Sequence, residues 1–247
     1  MARQLTKTTL TQASIAGFSL LEMAVVLMIV GFLLGGLLMS VTTTQEMNRR
    51  DAAQSSLDEM LDALYGFAQA TGRLPCPATA VSAGAEAPLG GGNCTQQHGF
   101  IPSATLGLAG PINADGLLVD EWLNPFRYSV STANGNAFTT VNGMRTATIG
   151  ALAPNLRVCT AAACGTEIVS AVPVVLFSMG ADWNDFTAAD VDETENSGEV
   201  TIAGYRHGND PNFVSAATYI EDTYDDVITW MSPNVLYTRM IAAGQLP

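Results

Sequence analysis

The sequence predicts an α+β fold: one very long N-terminal helix followed by a domain of short strands. Three observations carry this. No proline interrupts Phe18 to Thr71, so nothing in that stretch removes a helical hydrogen bond. Within it Leu57, Leu61, Leu64 and Ala68 recur at helical spacing, with Met60 and Phe67 widening the apolar stripe. Beyond Gly72 the pattern changes to short apolar or alternating runs separated by turn residues.

Taken in order, residues 1–17 read as a leader. Residues 18–41 read as a transmembrane segment forming the first half of the helix, and residues 42–247 as an extracytoplasmic globular domain that includes the amphipathic second half. The apolar run from Met23 to Val41 is nineteen residues long, close to the roughly 20 needed to cross a bilayer. The helix as a whole would extend about 80 Å, so its second half must leave the membrane and pack on something. Gly72 followed by Pro75 is the expected stop. Gly, Ala and Pro dominate from Cys76 to Gly92, which reads as a loop. Strands are expected at Phe126 to Ser131, Arg145 to Ala151, Leu156 to Cys159, Val172 to Ser178 and Glu199 to Ala203. The run after Val172 is nearly all apolar, as in a central strand covered by a helix. Ser232 and Pro233 suit an N-cap and first helical residue, giving a final helix to about Ala243 that Gly244 ends.

The cysteines and the charge bound the function. Cys76, Cys94, Cys159 and Cys164 all follow the apolar run, an even number suited to disulfides in an oxidising compartment. Three pairings are possible, and the sequence-local one, Cys76 with Cys94 and Cys159 with Cys164, is favoured. Neither pair has CxxC spacing, and His98 and His207 show no ligand spacing, so zinc is not expected. Basic residues Arg3 and Lys7 precede the run and Arg49 and Arg50 follow it, which favours an inside N-terminus only narrowly. The net charge is −13, and without Arg3 and Lys7 the chain has no lysine. Such a chain is a poor match for nucleic-acid phosphate, and no nucleic-acid partner is expected. No Gly-x-Ser-x-Gly, phosphate-binding loop or His-Glu-x-x-His occurs, and an enzyme is not expected. Asp225 and Asp226 are adjacent, and strand alternation would send them to opposite faces rather than to one shared site.

The most specific feature is Gly17-Phe18-Ser19-Leu20-Leu21-Glu22 running straight into the apolar segment. A carboxylate at the head of a membrane segment costs about 2.5–3.5 kcal/mol at the bilayer centre and calls for a partner. A cleaved secretory signal would put its small residues after the apolar core, the reverse of what is found here. The stretch resembles the prepilin motif of the type IV pilin and type II secretion pseudopilin superfamily. Gly72-Arg73-Leu74-Pro75-Cys76-Pro77, the Asp-x-Trp-x-x-Pro pattern at Asp120, Trp122 and Pro125, and Asp225-Asp226-x-x-x-Trp230 look like segments of its larger, minor-pilin-like members.

The resemblance implies a pilin-like fold, with the amphipathic half of the helix packed on an antiparallel β-sheet. It implies cleavage between Gly17 and Phe18 by a prepilin peptidase, N-methylation of Phe18, and pairing of Glu22 with a neighbour's amino terminus during assembly. The implied location is the bacterial inner membrane, single-pass with the globular domain outside the cytoplasm, followed by a surface or periplasmic filament. Partners would be other pilins or pseudopilins and an inner-membrane assembly platform. The leading expectation is a minor pilin. The alternatives are a type II secretion pseudopilin and, from another class, a membrane-anchored extracytoplasmic binding domain that never polymerises. No cofactor is expected except, as an option, calcium. Some pseudopilins hold calcium in a loop, and Asp182, Asp185, Asp190 and Asp192 supply oxygens here, although their spacing is not that of an EF-hand.

Overall fold

The structure is a computed structural model describing residues 19–181, 183, 191–198, 200–208, 210–216 and 224–247, with the side chains of helix residues 34–43 outside the description. The chain divides into two compact units, Met1–Glu46 and Met47–Pro247. Helix α1 (Leu20–Thr71), 52 residues long, belongs in part to each.

The start of α1 is fixed by its own first turn. Ser19 Oγ accepts the Glu22 N–H at 3.1 Å, and Glu22 Oε2 accepts the Ser19 N–H at 3.4 Å. This is a capping box, in which two amides that the helix leaves without intrahelical partners satisfy each other's side chains. At the other end Gly72 takes φ 75° and donates its N–H to Ala68 O at 2.9 Å, a left-handed stop that glycine adopts without strain.

The expected fold class needs one correction, in the first half of this helix. Among the described residues no helix is long and apolar enough to cross a membrane. The single-pass inner-membrane location expected from Met23 to Val41 loses its support with it. What the first unit does present is an apolar shell in which large side chains from Leu20 to Leu33 are exposed, among them Leu20 at 92% and Phe32 at 73%.

The second unit contains the rest of α1, then β1 (His98–Phe100), α2 (Ser103–Leu106), β2 (Arg127–Val130), a helical turn α3 (Ala133–Asn136), α4 (Gly143–Ala147), β3 (Leu156–Cys159), β4 (Glu167–Val172), β5 (Val174–Ser178), α5 (Val191–Ser197), β6 (Val200–Ile202), β7 (Tyr205–His207), β8 (Asn212–Val214), β9 (Val227–Trp230) and α6 (Pro233–Ala242). The main sheet is fully antiparallel in the order β1-β2-β5-β9. A second sheet runs β4-β3-β8, its β3–β8 pair parallel, and β6–β7 form a separate hairpin.

Strand β5 explains the layering. Its alternate residues Val174 and Leu176 join Leu57, Met60, Leu64, Tyr65 and Ala68 of α1 in the main core, with Leu236 and Met240 of α6. Val175 and Phe177 point the other way, into a second core with Leu156, Val158, Val172 and Phe213. A strand buried on both faces must be apolar throughout, as this one is. Fully burying Leu57, Met60 and Leu64 contributes about 1.5–3 kcal/mol each, which holds the helix on the sheet.

Strands appear at four of the five expected places, β2, β3, β5 and β6, the last within the described residues. The fifth expectation is corrected. Residues from Arg145 to Ala151 form the end of α4 and a 3-10 turn, Ile149–Ala151, because the only buried anchor nearby is Met144 and Thr146 Oγ1 turns back to Asn142 O at 2.9 Å. Alternating Thr and Ala offer little apolar surface to bury as a strand.

One buried ion pair ties the end of α1 to the loop that follows. Arg73 Nη1 and Nη2 donate to both oxygens of Glu86 at 2.7 and 2.6 Å. Glu86 also accepts the N–H groups of Cys76 and Gly90. Burial pushes the Glu86 carboxyl up, but the Arg73 hydrogen bonds and those two amides outweigh it and hold the carboxyl below its ordinary range. Gly91 lies so close that an added Cβ would strike Thr139 O and the Arg73 guanidinium.

Candidate functional site

The predicted processing site, Gly17 and Phe18, lies outside the described residues. Glu22 is described: it is exposed in the first turn of α1, its carboxylate engaged with the Ser19 N–H. The Ser-x-x-Glu spacing is itself the sequence signal for this cap, a local role for Glu22 beside the intermolecular one that the prepilin resemblance implies. A carboxylate at a helix N-terminus also sits favourably against the positive end of the helix dipole. Glu22 thus has a local partner before any neighbour is considered.

Both disulfides are present and are the sequence-local pair, Cys76–Cys94 and Cys159–Cys164, with Cα separations of 5.3 and 5.1 Å. No cysteine is left free. The first closes the Gly-rich loop over the Arg73–Glu86 pair. The second closes a short turn between β3 and β4.

A buried polar arrangement lies at the C-terminal end of β5. Asp120 is buried; its Oδ1 accepts the N–H groups of Trp122 and Asn124, both at 2.9 Å, and its Oδ2 accepts the Ser178 hydroxyl at 2.5 Å. Burial raises the Asp120 carboxyl to about 6, against the lowering effect of Ser178 and the two amides. Asn124 Nδ2 donates to Gly180 O at 2.6 Å. The Asp-x-Trp-x-x-Pro pattern is therefore turn chemistry that fastens a loop to the sheet.

Beside it, Glu193 of α5 and Asp225 and Asp226, just before β9, are all buried and bring one oxygen each within 4.8 Å of one another. The expectation that adjacent Asp225 and Asp226 face opposite ways is overturned here. Both precede β9, which starts at Val227, so strand alternation does not govern them. Glu193 Oε1 accepts the Asp225 N–H at 2.6 Å, Asp225 Oδ2 accepts the Ala181 N–H, and Asp226 Oδ2 accepts Asn196 Nδ2–H at 2.6 Å. An all-oxygen, carboxylate-rich set is suited to a hard cation such as calcium rather than to zinc. Of the residues expected to hold calcium, Asp182, Asp185 and Asp190 lie outside the described residues. Asp192 points elsewhere, its Oδ1 accepting the Ala162 N–H at 2.7 Å. Glu193 and the Asp pair are not recognisable as a cluster in the sequence, because their convergence depends on tertiary contact between α5 and the approach to β9.

The two histidines, unrelated by spacing in the sequence, are brought together. His207 Nδ1 lies 3.1 Å from His98 O, and Phe100 packs edge-on against the His207 ring. In comparisons with known proteins, no protein-family model, no curated protein and no solved structure matches this chain.

Proposed function

We propose that the chain is a structural subunit of a type IV pilin-like filament, a minor pilin, cut between Gly17 and Phe18 by a prepilin-type peptidase and assembled through the first half of α1. The observation that carries this reading is the junction of motif and helix. Three residues beyond Gly17 a 52-residue helix begins, with Glu22 exposed in its first turn and a shell of exposed apolar side chains after it. So large an apolar surface calls for burial against a partner. Identical helices bundled around a filament axis would bury it. The amphipathic half of α1, laid on an antiparallel sheet, supports the same reading, as do the two disulfides.

In this mechanism the Phe18 amine of one subunit, freed by cleavage, meets the Glu22 carboxylate of its neighbour as the helices pack. A charge buried alone among apolar helices would cost about 3–5 kcal/mol relative to the pair, so the pairing sets register. The capping box provides a control for the test. Glu22→Gln keeps a side chain able to cap Ser19 but removes the charge, whereas Glu22→Ala removes both. Each variant is expressed in the native cell, surface filaments are sheared off, and the subunit they contain is normalised to the total cellular pool. Both variants should be depleted several-fold from the filaments. Wild-type incorporation of Glu22→Gln would remove the charge-pairing mechanism, and absence of the wild-type chain from any filament would remove the filament reading itself.

A further inference from the structure

A small cavity of about 10 Å³ lies between the main sheet and the β6–β7 hairpin, lined by His98, Arg127, Ser129, Asn196, His207 and Gly208. Three of these side chains are more than nine-tenths buried, and each has a nitrogen without a protein partner: His98 Nε2, His207 Nε2 and Arg127 Nη1. Leaving a buried polar atom unsatisfied costs about 1–3 kcal/mol, so three around one cavity need an explanation.

The chemistry of the three atoms restricts what can meet them. His207 Nδ1 faces the carbonyl of His98, which only accepts, so Nδ1 carries the proton and Nε2 of the neutral ring is an acceptor. Arg127 Nη1 can only donate. Its guanidinium lies over the Phe100 ring, 4.8 Å from the centroid, which supports the charge without using its N–H groups. His98 Nδ1 meets the Ser129 hydroxyl at 2.9 Å, a partner able to donate or accept, so His98 Nε2 can adapt. A simple anion would satisfy Arg127 but confront the lone pair of His207. A metal cation would suit the imidazoles but lie against the Arg127 charge. The ligand must donate and accept at once, and the cavity is the size of one water.

We propose that His98, His207 and Arg127 form a built site for one structural water that bridges β1, β2 and β7 and fastens the β6–β7 hairpin to the main sheet. The water accepts from Arg127 Nη1–H, donates to His207 Nε2 and completes its set at His98 Nε2.

The test uses the full-length wild-type protein near neutral pH. A crystal structure at a resolution that shows ordered solvent, with a second crystal soaked in bromide, should give one solvent peak within about 3.2 Å of all three nitrogens. That peak should carry no anomalous bromide signal. No peak at all, or a bromide signal there, would overturn the proposal, the latter marking an anion site. Independently, imidazole nitrogen NMR should find His207 neutral with its proton on Nδ1. A proton on Nε2 would remove the acceptor that the water requires and overturn it as well.

Discussion

At the scale of single residues, the buried titratable groups set how the protein responds to acid. Burial, reinforced by the Arg127 charge, lowers both His98 and His207 from 6.5 to about 4, with Asp210 opposing this at His98 and the carbonyls of His98 and Ile202 opposing it at His207. A histidine whose folded value is depressed binds its proton more readily when unfolded. Its contribution to stability is whole above 6.5 and is lost as pH falls through about 4. Asp120, raised from 3.8 to about 6, acts in the opposite sense: its contribution is whole below 3.8 and lost as pH rises through 6. Two histidines outweigh one carboxylate, so net stability should fall by a few kcal/mol between pH 6.5 and 4, at about 1.4 kcal/mol per pKa unit and group. Urea unfolding across that window measures it, and a flat profile would contradict the burial of the pair. The Arg73–Glu86 pair gives a second prediction. Glu86→Ala leaves a buried guanidinium uncompensated and should cost about 3–5 kcal/mol in the same assay. A loss below 1 kcal/mol would mean that water reaches Arg73.

Among the elements, α1 was legible at both ends and along its second half, because an unbroken apolar stripe and a Gly72 stop are local signals. Strand β5 was legible because a continuous apolar run has few other uses. Strands β1, β7 and β8, three residues each, were not, since so short a run carries little period and, unlike β6 within Glu199 to Ala203, they lie in no longer apolar or alternating stretch; β4 and β9 were missed as well. The same limit hid the candidate site. Glu193 sits on a seven-residue helix, and nothing near it in the chain announces Asp225 or Asp226. For α6 the expected Ser232 and Pro233 start and Gly244 end hold, although Ser232 makes no side-chain cap bond. Two predictions belong here. Leu57→Ala, at a site with no exposure between α1 and β5, should destabilise by about 2–5 kcal/mol through the cavity it leaves. Replacing Cys76 and Cys94 together by alanine should cost about 3 kcal/mol, since the bridge closes an 18-residue separation. Thermal unfolding of each variant checks both, and wild-type stability of the double alanine variant would show the loop to be held by Glu86 alone.

For the molecule as a whole, the proposed filament role makes a prediction that no local contact makes. Intact-mass analysis of the chain recovered from its native cell should give a protein beginning at methylated Phe18, about seventeen residues shorter than the full sequence. A functional protein that retains Met1 to Gly17 would contradict the reading. The loop from Cys76 to Gly92 also bears on how the molecule would meet a protease or deuterated solvent. By composition it is linker-like, with glycines at 84, 90, 91 and 92. Yet the amides of Cys76 and Gly90 end on the Glu86 carboxylate, those of Ala87 and Gly92 end on Pro77 O and Thr139 O, and Cys76 is cross-linked to Cys94. These bonds and the cross-link hold the loop at several separate points around the buried ion pair. The amides of this glycine-rich stretch should therefore exchange with deuterium about as slowly as those of the central strands, and a nicking enzyme that seeks out flexible, small-residue segments should pass it by.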